Sequence, residues 1–438
     1  MTVSDPPAGT FTRGPGPIPG AGTSRPADSR DGPETGFRIG MAVHAYYEKD
    51  ARVRRYAESL VRKGHHVEVI ALRAPGAPAE EWIEGVLCRR VPMHRRRGGA
   101  LRYLYEYLAF LLWATWYLAK GTWRRPYDVI HVHNMPDFLV FCGIVPKLFG
   151  ARIVLDVHDL MPEVWASKFH STLSHPAVLI LRIQEIASHF FADHVVFATG
   201  IFREIALARG TVRPEKSSVV LNAPDTDLFD EERQPWTGPE RPGEFRLLYL
   251  GTVSERHGVD QLVRVLPLCR ARIPGLRLVI HPKLEGGEGK PLEELLDLAK
   301  RLGVEDLVEV RPSLDLAEVP EAMSRASVGT FTPHVDLHID IALSLKIPEY
   351  VAMGLPIVTV RTRIMESLFH PGEVRYFEDE DLEGFAEILC ELHEHPDRGR
   401  ALARRAKRFL EEHSWEREFE GYHDVLRGLR GTAVLPAD

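Results

Sequence analysis

Apolar positions along this chain form two runs in which short continuous strands alternate with amphipathic helices. Residues 37–43 (FRIGMAV) carry almost no polar break, which predicts a strand covered on both faces. Residues 51–63 (ARVRRYAESLVRK) follow at helical spacing and stop at Gly64, where a left-handed residue closes a helix. Residues 66–71 (HVEVIA) predict the next strand, and the rhythm continues through 128–133 (DVIHVH), 152–159 (RIVLDVHD) and 194–198 (HVVFA). Strands that alternate with helices predict a parallel sheet, because parallel neighbours need crossover connections.

The stretch 222–244 breaks this rhythm with proline, glycine and charge, and reads as a linker. A second run then gives strands at 245–251, 276–281, 307–310, 327–331 and 356–360, with late helices near 382–394 and 397–412. The amphipathic segment 415–429 is long enough to cross back onto the first half. The expected organisation is therefore α/β throughout. A tail spans 1–36, one Rossmann-like domain 37–222, a linker 223–244, a second Rossmann-like domain 245–412, and a returning helix 413–430. The tail holds seven prolines and seven glycines, too little apolar surface to offset its ordering entropy, and is expected to be disordered. Two doubly wound halves leave a crevice at the carboxyl ends of both sheets, where ligands of such folds sit.

Composition narrows the function. A length of 438 residues exceeds one compact core, in keeping with two domains. The 55 basic and 62 acidic side chains leave a net charge of −7, which speaks against a nucleic-acid partner. Cys88, Cys142, Cys269 and Cys390 lie far apart and never as C-x-x-C, which fits reduced thiols in the cytosol. The first strand leads into His44–Asp50 without G-x-G-x-x-G, and neither a Walker A motif nor a G-x-S-x-G elbow occurs. No cofactor is expected.

The most specific segment is 345–360, LKIPEYVAMGLPIVTV, a helix with Lys346 and Glu349 that ends at Gly354 and turns into a buried strand. A carboxylate such as Glu349 can accept hydrogen bonds from two vicinal hydroxyls; Lys and Glu three apart also form ordinary surface pairs. With its A-M-G-L-P continuation the segment resembles the retaining glycosyltransferases of family 4, which have the GT-B fold. Further stretches carry the same resemblance: 128–163 with its H-x-H and H-D strand ends, VVLNAPD (219–225), LLYLGTVSERHGVDQLV (247–263) and the helix opening Asp50–Arg55. The resemblance implies a nucleotide-sugar donor on the second domain, with Glu349 on the ribose hydroxyls, and a saccharide or lipid-linked acceptor on the first. It implies that His158 contacts the donor sugar, against the plainer reading of a histidine satisfying a strand-end carbonyl.

A departing diphosphate needs cations and close backbone amides, for which Arg256, His257 and Lys346 are candidates, with Gly251 admitting the phosphates. The chain departs from the family pattern at Thr252, where an Arg is usual, at His257, where a Lys is usual, and at Ile341, where a Glu is usual. A catalytically silent binding protein and a sugar-nucleotide epimerase of the same fold are the alternatives. His131 and His133 share a strand face but lack a third ligand at suitable spacing, so they read as a packed polar strand end and no metal is expected. Asp225 and Asp227, a D-x-D beside proline, read as turn chemistry.

One window stands apart in charge. Residues 89–125 hold nine basic side chains against Glu106 alone, and between them 107–119 (YLAFLLWATWYLA) carries no charge. Thirteen residues are too few to span a bilayer, which takes about 20. Two readings stay open: a buried helix of the first domain, or an interfacial helix on an anionic membrane. The second would place this cytoplasmic protein at the inner membrane face.

Overall fold

The computed structural model describes residues 36–94, 100–239, 241, 243–283 and 289–431. The predicted tail lies almost wholly outside them. The first sheet comprises β1 (Arg38–Val43), β2 (His66–Leu72), β3 (Glu80–Ile83), β4 (Val86–Val91), β5 (Val129–His133), β6 (Arg152–Val157), β7 (His194–Phe197) and β8 (Ser217–Val219). They run in the order β3-β4-β2-β1-β5-β6-β7-β8, and all pair in parallel except β3 with β4. The second sheet comprises β9 (Phe245–Gly251), β10 (Leu276–Pro282), β11 (Val308–Val310), β12 (Val328–Phe331), β13 (Ile357–Val360) and β14 (Arg375–Phe377), ordered β11-β10-β9-β12-β13-β14. Its pairs are all parallel.

Every predicted strand is present within two residues of its expected ends. Pattern missed β3, β4, β8 and β14. Two of these are three residues long, and β3 (EEWI) is a polar antiparallel edge. β4 escaped because it carries Arg89 and Arg90, whose charges hide a buried strand. Arg90 is 1% exposed and is paired with Glu48 and Glu81, while Arg89 pairs with Glu68 and Glu80. The helix expected at 397–412 is two helices, Pro396–Ala406 and Arg408–Glu412.

Six helices of the first half position its surfaces: α1 (Ala51–Arg62), α2 (Ala100–Arg124), α3 (Ile144–Leu148), α4 (Met161–Lys168), α5 (Pro176–Phe191) and α6 (Gly200–Ala208). The Asp50 side chain caps α1 by accepting from the Val53 amide at 3.1 Å, and Gly64 beyond its end has φ 85°. The last helix, Trp415–Gly431, returns to the first sheet. Its Trp415, Phe419, Tyr422 and Leu426 share one core with Tyr56 of α1 and the inward residues of β1 and β2. Trp415 Nε1 donates to Ser59 Oγ at 3.0 Å, and Tyr422 Oη lies 2.8 Å from His131 Nδ1. The four cysteines are buried and free.

Candidate functional site

Parallel register brings three polar residues of β5 and β6 together. His133 lies opposite Asp156, while Asp156 and His158 are two apart and so share a face. The fully buried Asp156 carboxylate is the hub. Oδ2 accepts from Arg52 Nε at 2.9 Å, His133 Nδ1 at 3.0 Å and His158 Nε2 at 2.9 Å, and Oδ1 accepts from Arg52 Nη2 at 2.7 Å. Burial pushes this carboxyl up, but Arg52 and then the imidazoles outweigh burial and hold it well below the ordinary carboxylate range. Arg52 Nη1 also reaches Val220 O at 2.9 Å and Asn222 Oδ1 at 2.7 Å. Three separate motifs of the sequence, the opening of α1, the H-D strand end and VVLNAPD, therefore meet at one guanidinium.

The bond from Nε2 of His158 to Asp156 fixes the orientation of the ring at the strand end. The turn that follows is fixed by Asn134, whose Oδ1 accepts from the His158 amide at 2.8 Å and whose Nδ2 donates to Asp159 O at 2.7 Å. Asp159 faces the second domain: its Oδ1 is 3.4 Å from His338 Nε2. Burial raises the Asp159 carboxyl, opposed by His338, His158 and Arg256 in that order.

On the second domain β9 ends at Gly251, φ 125°. The loop beyond closes on Gly258, φ 60°, where a Cβ would lie 1.6 Å from Thr332 O, so only glycine fits. Lys346 and Glu349 sit on one face of the helix Lys346–Ala352. Lys346 Nζ lies 4.3 Å above the Tyr249 ring and 3.6 Å from the place a Cβ on Gly251 would take. Burial lowers Lys346 to about 8 against the pull of Glu349, and burial raises Glu349 to about 7 against Arg55 and Lys346. Gly251, Lys346 and Glu349 thus form one cluster, with Arg55 of α1 acting on Glu349 from the first domain. Arg256 pairs with Asp336, Nε to Oδ2 at 3.1 Å, and Asp336 accepts from the Ser167 hydroxyl of α4. His257 Nδ1 is 2.7 Å from Ser254 Oγ. The Arg256 loop of one domain and the His158 side of the other therefore lie against each other across the crevice.

Two family models match the chain: a glycosyl transferase 4-like domain over residues 50–223 and glycosyl transferases group 1 over residues 244–395. The D-inositol 3-phosphate glycosyltransferase of Thermobispora bispora is 24% identical over 428 residues, covering 93% of this chain and 95% of that one. Among solved structures, sucrose-phosphate synthase of Thermosynechococcus elongatus superposes with a TM-score of 0.72 at 18% identity, over 90% of this chain and 99% of that one. HepE of Anabaena in complex with UDP-glucose gives 0.63 at 14% identity, over 90% and 100%. The chain belongs to the family 4 glycosyltransferases of GT-B fold.

In this glycosyltransferase the departures from the family pattern have structural uses. The Thr252 carbonyl accepts from Tyr249 Oη at 2.5 Å, which braces the floor under Lys346. Ile341 is 2% exposed and packs in the core. Its neighbour Asp340 accepts from the Arg363 amide at 2.9 Å and so ties down the loop after β13. The side chain that this segment does send to the crevice is His338. Asp225 accepts from the Asp227 amide at 3.2 Å, the turn expected of that pair. The third neighbour missing from the His131 and His133 pair is Asp156, supplied by register and invisible to spacing along one strand. The ligand atoms of these three lie within 4.8 Å of one another, but Arg52 already supplies the cation there. Asp260, His334 and Glu380 form a second such group, bound together by ion pairs with one another and with Arg264.

Sequence reasoning overlooked Arg52, Asp156, Arg55 and His338. Asp156 had a usable signal, since a buried acid two residues before His158 must share its face. The other three act across elements, and pattern along the chain does not reveal such partners.

Proposed function

We propose that this transferase holds a nucleotide-sugar on the second domain and moves the sugar, with retention, to a saccharide or lipid-linked acceptor on the first. Glu349 accepts from the ribose hydroxyls, while Lys346, Arg256 and His257 with the Gly251 backbone receive the diphosphate. His158 meets the sugar. The bond from the anomeric carbon to the phosphate oxygen breaks, the acceptor oxygen bonds to that carbon on the same face, and its proton passes to the leaving phosphate. Supporting this reading most directly is the contact between Asp159, next to His158, and His338 on the opposite lip, 3.4 Å apart. The donor likeness extends to HepE, which was solved with UDP-glucose. We place the domain boundaries at 37–222, 223–244, 245–412 and 413–430, and the protein in the cytoplasm, with the outward side of α2 within the window 89–125 turned to an anionic membrane; Arg89 and Arg90 of that window are instead held in ion pairs within the first sheet. Arg95, Arg96 and Arg97 of that window lie outside the described residues.

The test is release of nucleoside diphosphate from a panel of nucleotide-sugars, with and without a chelator. Turnover should survive chelation. His158→Ala should lower kcat by about a hundredfold or more and nucleotide affinity by less than about threefold, because the ring serves the sugar and not the diphosphate. Full turnover in that variant would return His158 to a packing role.

A further inference from the structure

Helix α5 is built inside out. Its buried side carries Val178 and, beyond it, only polar residues: Glu185, Ser188 and His189, 1%, 0% and 3% exposed. Glu185 pairs with Arg209 at 3.2 Å, and Gln184 donates to Asp137 at 3.0 Å. Facing water are Leu179, Ile180, Ile183, Ile186 and Phe190, of which Ile183 is 67% and Phe190 86% exposed. Each exposed position of α5 is apolar. A helix on a water-facing surface has the reverse polarity. Folding in water gains nothing from this stripe.

The face continues beyond α5. On α2, Phe110, Ala114 and Leu118 enter the core, while Tyr105, Leu108, Leu112 and Trp116 point outward. The short helical stretch Asp137–Gly143 and α3 pack between the two long helices. Trp123 of α2 lies 5.2 Å from Phe149 beyond α3, and Phe141 lies 5.0 Å from Phe191 at the end of α5. Most exposed large hydrophobic side chains of the described residues fall between Leu104 and Phe190. Such a contiguous apolar surface marks an interaction site.

Charge selects the partner. Between residues 102 and 191 every carboxylate is buried or half-buried, whereas Arg102, Lys120, Arg124, Arg125 and Lys168 are exposed. Within these residues the exposed charges are all cationic, in a chain whose net charge is −7. A second copy docked face to face would set like charges against each other; anionic headgroups would complement them. Exposed Trp and Tyr between Lys and Arg suit the headgroup boundary. No helix among the described residues is long and apolar enough to cross a membrane, so the face would lie on the surface. Its α2 edge borders the crevice, since Tyr107 contacts His44 just beyond β1 at 4.9 Å and Lys168 lies 5.5 Å over Tyr103.

We propose that α2, α3 and α5 form a single platform that docks on anionic lipid, laying the acceptor side of the crevice against the membrane. It extends the reading of residues 89–125 to a second helix, and it stands or falls without the transferase assignment because its readout is binding.

The full chain is sedimented at low salt with vesicles of phosphatidylcholine alone or of equal parts phosphatidylcholine and phosphatidylglycerol. Wild type should pellet with the anionic vesicles only, and high salt should release it. Ile183→Glu with Phe190→Glu, both at exposed sites, should lower the bound fraction by about tenfold or more, and Leu112→Glu should do the same. Leu316→Glu, at an exposed apolar site on the second domain, should bind like wild type. Wild type left in the supernatant, or α5 variants that bind undiminished, overturns the platform. So does a wild-type dimer in sedimentation velocity that the same α5 variants dissociate, which would make the face a contact between copies.

Discussion

Glu349→Gln is expected to weaken nucleotide-sugar binding by about tenfold, Glu349→Ala by about a hundredfold, and the Gln variant to be more stable than wild type at pH 8. The two effects share one cause. Glu349 is largely withdrawn from water, and burial raises its carboxyl to about 7 although Arg55 and Lys346 pull the other way. Ionising it in the empty protein therefore costs free energy that ribose hydroxyls would return. A carboxylate raised from its ordinary value of 4.5 to about 7 holds a proton in the folded state that the unfolded chain has already lost. The associated stability is full below about pH 4.5 and disappears as pH rises through about 7. Gln cannot ionise, so its advantage opens over that window and then stays level, at about 1–2 kcal/mol for a partly accessible group. Thermal melts of the free proteins at pH 4 and pH 8 check the stability arm, and nucleotide titration checks the other. A melting difference equal at both pH values would remove the buried charge from the account. Unchanged affinity for every donor would remove Glu349 from the pocket.

Arg52→Met should destabilise the protein by about 3–5 kcal/mol at neutral pH, the largest stability loss expected of a single exchange here. Arg52 gives Asp156 two hydrogen bonds, at 2.9 and 2.7 Å, and both side chains are almost wholly buried. The exchange keeps much of the volume but leaves a buried carboxylate without its main counter-charge. Asp156 is held well below the ordinary range, so its contribution in wild type is present above about pH 4 and is lost as pH falls through its folded value. The gap between variant and wild type should be widest near neutrality and shrink in acid, where Asp156 of the variant, raised by burial once Arg52 is gone, takes up a proton and is no longer an unpaired buried charge. Denaturant unfolding at pH 7 and pH 4 measures this. An equal loss at both pH values would mean that Arg52 matters for packing alone. The His158 ring shares Asp156, so in whatever folded Arg52→Met survives kcat should fall more than nucleotide affinity.

The two predictions rest on different kinds of knowledge. Glu349 could be named from the chain, because its neighbours in sequence, Lys346 before it and A-M-G-L-P after it, form a local pattern on one helix and the turn that follows. The same holds for Gly251, His158 and the alternation of strands and helices, each of which is carried by a local sequence pattern. Hydrophobic periodicity likewise fixed the two-domain architecture, since parallel strands and their crossovers leave that rhythm whatever the distant contacts are.

Arg52 was quoted only as part of a helix opening, and its role emerged when β5 and β6 paired in register and α1 settled above them, bringing residues 52, 133, 156 and 222 to one point. Ion pairs formed after collapse also explain why β4 was missed: Arg90 looks solvent-facing until Glu48 and Glu81 surround it. For residues 107–119 the chain left a buried helix and a membrane-facing helix equally open. An apolar run of this length has the same sequence signature in both cases, and the choice depends on what packs against it. The fold covers one side of α2 and leaves the other bare. With α5 the chain carried no warning, because a helix with one polar side looks ordinary until tertiary packing decides which side meets water.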